Sequence, residues 1–90
     1  MNAEGYTAFG RRLSQHLEQR HLTQAQFAAA MVRASYQHGS GQQIVSNWLR
    51  ERWRLFPDWF PAARRALRLS DDEVAELLWL YYIEAEKEEA

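Results

Sequence analysis

Ninety residues make one domain with one core, and an apolar content of 47% argues against a disordered chain. The absence of cysteine excludes disulfides, thiolate metal sites and cysteine nucleophiles. A net charge of −1 hides a split: residues 1–68 carry ten arginines against four carboxylates (+6), and residues 69–90 carry eight carboxylates against one lysine (−7). Such asymmetry reads as a basic working surface with an acidic appendage that serves solubility. Met1 to Arg20 contains no apolar stretch of the secretory kind. The longest apolar run, Leu77 to Ile83, falls far short of the ~20 residues that span a bilayer. A cytoplasmic protein without membrane contact is expected.

Five helices and no strand are predicted. The first runs from about Tyr6 to Arg20, with Tyr6, Phe9, Leu13 and Leu17 on one arc. The second opens on Thr23 as N-cap, with Gln26 completing a capping box and Leu22 and Phe27 at the staple positions. It continues through Ala28, Ala29 and Ala30 to about Arg33. Residues 34–41, with Gly39 and Gly41, form an enlarged turn. The third helix spans about Gln42 to Trp53 and breaks at Phe56-Pro57-Asp58. The fourth covers Trp59 to Leu67, with Pro61 in its first turn. The fifth repeats the start of the second: Ser70 as N-cap, Glu73 closing the box, Leu69 and Val74 as staple. Asp71, Asp72 and Glu73 there complement the helix dipole.

The third helix carries the chemistry. At 100° per residue Ile44, Val45, Trp48 and Leu49 share one arc. Gln43, Ser46, Asn47 and Arg50 share the opposite arc, flanked by Gln42. Gln and Asn can bond adenine bidentately, Arg can bond guanine, and Ser can approach either. A helix also fits the major groove of duplex DNA. A plain solvated face is the competing reading, yet such faces usually carry Glu–Lys pairs. Gln24 opens the second helix, where an N-terminus can meet a phosphate. Arg11, Arg12, Arg33, Arg52 and Arg54 surround the same region as a set without matching acids, so they are candidates for further phosphates.

On these residues the chain resembles the Cro/lambda-repressor (Xre-like) helix-turn-helix family. The likeness rests on Leu22-Thr23-Gln24-Ala25-Gln26-Phe27-Ala28 and on Gln42-Gln43-Ile44-Val45-Ser46-Asn47-Trp48-Leu49, and it covers about residues 6–69. The spacing from Ala28 to Val45 is wider than the family's tight form, and POU-specific domains are similar in enlarging this turn. Extra residues in a surface loop cost little. The resemblance implies Gln42, Gln43, Ser46, Asn47 and Arg50 at base edges and Gln24 at a phosphate.

Other signals point to structure. His16, His21 and His38 lack metal-ligand spacing and are expected on the surface. Ser46 has no base beside it, and Gly39-Ser40-Gly41 lacks the lysine of a phosphate loop. Trp48, Trp53, Trp59 and Phe60 could stack single strands, but aromatics at helical spacing are more often core. The fifth helix is apolar all round at Leu77–Ile83. Val74, Leu77, Leu78 and Tyr81 form its core stripe, which leaves Trp79, Tyr82 and Ile83 for a partner.

The expectation is an all-α, five-helix, lambda-repressor-like bundle. Residues 1–69 form the helix-turn-helix core, and 70–90 add a dimerising helix with an acidic end. It is expected to be a homodimeric repressor on an inverted-repeat operator in double-stranded DNA. No enzyme activity, cofactor, metal or small-molecule effector is expected. The alternative is an antitoxin-type or other interaction module whose apolar C-terminal helix binds a different protein.

Overall fold

The structure, a computed structural model, describes residues 5–36, 41–50 and 55–84. Five α-helices lie within these residues: α1 Ala8–Gln19, α2 Gln24–Arg33, α3 Gln42–Arg50, α4 Trp59–Leu67 and α5 Asp71–Trp79. A single π-helical turn, Leu80–Glu84, extends α5. No strand occurs among the described residues. None of these helices is long and apolar enough to cross a membrane.

Local chemistry accounts for the helix starts. Thr23 accepts from the Gln26 N–H while the Gln26 side chain accepts from the Thr23 N–H, at 3.1 and 2.8 Å. Ser70 and Glu73 make the same reciprocal pair at the head of α5. Each box satisfies two N–H groups that a helix start otherwise leaves without partners. The first helix begins two residues later than its apolar arc suggests, because Thr7 is extended and its Oγ1 caps Gly10. Tyr6 therefore precedes the helix and packs half-buried against the core.

The core is an aromatic stack closed by aliphatics. Trp48 and Trp59 meet at right angles, centroids 5.5 Å apart, with Phe27 edge-on to both. Phe9 and Phe60 pack on Trp59, and Tyr81 closes the far side. Trp48, Trp59 and Phe60 are all buried, so they are packing residues and no stacking platform. Trp53 lies outside the described residues. Leu13, Leu17, Met31, Val45, Leu49 and Leu77 fill the space around the rings.

One contact sets how the helices cross. Gly10 of α1 lies against the last turn of α3, and a Cβ there would overlap the Leu49 carbonyl oxygen and stand 2.6 Å from its carbon. The Thr7 N–H donates to that carbonyl at 3.1 Å, satisfying an acceptor that the end of α3 leaves open.

Two expectations need correction. His16 is fully buried rather than superficial, and it does face a carboxylate. Its Nδ1 lies 3.3 Å from Arg20 Nη1 and 3.9 Å from Glu73 Oε2, while Nε2 has no partner among the described residues. The residue falls on the α1 face that the start of α5 covers, and its periodicity with Phe9 and Leu13 is helical. Leu78 is the second: it is 37% exposed, outside the stripe expected of it. The fifth helix packs on α1 and α4 along a narrow line through Leu77, which leaves Leu78 over the open side of α4.

Two predictions follow from this packing. Gly10→Ala should cost about 3 kcal/mol or more, since the clash is with backbone that no rotamer change relieves; equilibrium unfolding in urea measures it, and near-wild-type stability would refute the contact. The second concerns His16, whose pKa is lowered by burial and by Arg12 and Arg20, against opposing pulls from Glu73 and Glu76. The unfolded chain therefore binds this proton first. Stability should be full above pH 7.5 and fall as pH drops through the ordinary histidine range, with a slope of at most about 1.4 kcal/mol per pH unit. The fall should level off below the folded-state pKa. His16→Leu should flatten this part of the profile, and an unchanged profile would show that His16 does not cause it.

Candidate nucleic-acid interface

The third helix is preceded by Gly41, whose φ of 126° lies in the region glycine tolerates best. Val45, Trp48 and Leu49 are buried against α1 and α2, and Ile44 is half-buried. This fixes the roll of the helix. Gln42, Gln43 and Arg50 are exposed, and Ser46 and Asn47 are half-exposed beside them. Gln43 Nε2 donates weakly to Asn47 Oδ1 at 3.4 Å, one turn on. The five sequence-predicted base-reading residues thus share one outward surface. None of the residues of α3 is acidic.

Gln24 is the first residue of α2 and is half-buried. The capping box uses the N–H groups of Thr23 and Gln26, so those of Gln24 and Ala25 have no partner in the first turn. These two N–H groups and the positive end of the helix suit an anion.

The arginines divide by partner. Arg12 donates to Glu76 and Gln15, both at 2.8 Å, on the side of α1 that meets α5. Arg20 donates to the Leu67 carbonyl at 2.6 Å and lies 3.8 Å from Glu73. Arg64 pairs with Asp71. The notion of arginines without matching acids therefore fails for Arg12, because the acids arrive from a distant helix.

A second group meets no carboxylate among the described residues. Arg11 is exposed and donates to the Tyr6 carbonyl at 3.0 Å. The Arg50 guanidinium stands over the ring of the same Tyr6, 5.7 Å from its centre. Tyr6 therefore holds two cations where α1 starts and α3 ends, a role that periodicity alone did not reveal. Arg33 is exposed at the end of α2. Arg52 and Arg54 lie outside the described residues.

Elsewhere α5 and the turn that extends it leave apolar surface in water. Trp79 is 56% exposed and Tyr82 45%. Tyr82 lines, with Pro57, Phe60, Pro61, Val74, Leu78 and the single charged residue Arg64, a mostly apolar groove of about 470 Å³ between α4 and α5. The side chain of Ile83 lies outside what the structure describes.

The chain matches no family model, no curated protein and no solved structure.

Proposed function

We propose that the chain is a sequence-specific binder of double-stranded DNA that regulates transcription, with α3 in the major groove. The observation that carries this reading is the division of α3: one face locked into the core, the other presenting Gln42, Gln43, Ser46, Asn47 and Arg50. Their donors and acceptors match base edges, and their rigid seating gives a reader its fixed register. Gln24 and the N–H groups of α2, with Arg11, supply phosphate contacts. The resemblance to the Cro/lambda-repressor family supports the same assignment.

The exposed rings of α5 support self-association. A Trp and a Tyr half in water beside an apolar groove are the side chains found at interface centres. A two-fold pairing would present two α3 helices to consecutive major grooves, about 34 Å apart, and select an inverted repeat. The same rings also favour a second reading, in which this face holds a different protein, as in an antitoxin.

Selection from random duplexes should yield a defined site. Gln43→Ala and Asn47→Ala should each relax one or two positions of it, at about 1–3 kcal/mol, with unfolding stability within about 0.5 kcal/mol of wild type. Recovery of no enriched sequence, or of the same sequence at full affinity by both variants, would falsify the base-reading role. Sedimentation should give a dimer at tens of micromolar, and Trp79→Ala with Tyr82→Ala should give a folded monomer. A wild-type monomer that gains mass only with a second protein would instead favour the interaction module.

A further inference from the structure

The arginines that meet no carboxylate among the described residues form a second gathering away from Tyr6. Arg33 from the end of α2 and Arg65 and Arg68 from the end of α4 line one open concavity of about 320 Å³, floored by Ala30, Ala34 and Ala66. The floor is small side chains, so the guanidinia are not screened by bulk. No acidic residue lines it.

Arginines at helix ends often serve only to cap carbonyls, and Arg65 does so: its Nη2 donates to the Ala34 carbonyl at 2.6 Å. That role does not extend to the other two. Two carbonyls at the end of α4 already have other donors, Leu67 that of Arg20 and Arg64 the N–H groups of Arg68 and Leu69. Arg68 sits at the left-handed position just past α4, with φ 56° and ψ 50°, where glycine is the usual residue. The same backbone shape ends α1 at His21 and α2 at Ser35, so shape alone does not single it out. What distinguishes Arg68 is that it sets a third cation on one hollow.

The charge balance favours an anion there. Two helix C-termini contribute roughly half a negative charge each, against three full positive charges. Like charges gathered without a counter-ion repel, and a bound anion relieves that repulsion. The hollow is also within the usual size range of small-ligand clefts, roughly 300–1,000 Å³, and larger than one phosphate needs. Guanidinium forks match phosphate oxygens two at a time.

We infer that Arg33, Arg65 and Arg68 form a phosphate-binding site distinct from the outward face of α3. Its ligand is either the phosphodiester backbone of bound DNA, which rests on the function proposed above, or the polyphosphate group of a free small molecule, which does not. Arg65 orients the site and holds α2 to α4, while Arg33 and Arg68 bind.

The test uses the full chain and the double variant R33Q/R68Q, whose exposed positions leave the fold intact, as thermal melting checks. Inorganic pyrophosphate and a non-operator duplex are the two probes. A free-ligand site predicts that wild type binds pyrophosphate and that the variant loses at least tenfold in affinity, with duplex binding retained. A backbone site predicts no such pyrophosphate binding, weaker duplex binding by the variant, and a log K against log salt slope flattened by about 0.9 for each lost contact, near 1.8 for both. Equal behaviour of variant and wild type towards both probes overturns the inference while leaving α3 as a DNA reader untouched. Pyrophosphate binding by a protein that selects no site from random duplexes would uphold this site and remove the proposed function.

Discussion

The seating of α1 on the end of α3 is the constraint on which the other contacts depend. Gly10 allows backbone to approach backbone, and the Thr7 N–H then takes the Leu49 carbonyl. Because α3 is held at its last turn, its roll about its own axis is fixed by Val45, Trp48 and Leu49 beneath it. A side chain at position 10 would lift α1 and pull Phe9 from Trp59, so the aromatic stack and the polar face would fail together. The outward surface of α3 thus depends on a residue that carries no side chain and lies on another helix.

Electrostatics follows the same division between what is consumed inside and what is left over. Three acids at or near the head of α5, Asp71, Glu73 and Glu76, meet Arg64, Arg20 and Arg12. Being partly exposed, such pairs contribute little stability each, on the order of 0–1 kcal/mol. Their larger consequence is for the surface. The acidic half of the chain is not just a solubilising appendage, since part of it neutralises the basic half from within the fold. Among the described residues, the cations that remain gather about Tyr6 and at the ends of α2 and α4, so focused positive patches exist despite a net charge of −1.

What could be read from the sequence was what short-range chemistry decides. Thr23 with Gln26 and Ser70 with Glu73 are three residues apart, and both helix starts emerged as expected. The two faces of α3 were legible because a helical period separates Val45 and Trp48 from Gln43 and Asn47 whatever surrounds them. His16 and Arg12 were not, for their surroundings are set by α5 arriving on α1, more than fifty residues later in the chain, and Leu78 was not, because the seating of α5 on α4 decides its exposure. A histidine in register with Phe9 and Leu13 carried a weak sign of burial, and periodicity weighed above residue type would have caught it. Nothing in the sequence places Arg33 beside Arg65 and Arg68, because the pairing of α2 with α4 brings them together.

The end of α5 shows how one buried bond can shape an exposed surface. The backbone N–H of Leu55, just before α4, is buried and finds its acceptor in the Tyr81 hydroxyl at 3.0 Å. Leaving that donor unpaired would cost about 1–3 kcal/mol. Tyr81 must therefore point inward, where it also meets Phe9 and Phe60. The chain around it takes a π-helical turn, a geometry that rarely arises without a local cause. With Tyr81 and Leu77 committed to the interior, the adjacent Trp79 and Tyr82 are turned towards solvent, Tyr82 stacking only partly on Phe60. The apolar face of α5 is thus tied to the core by its position, and a partner that covered it would bury two rings the fold cannot itself enclose.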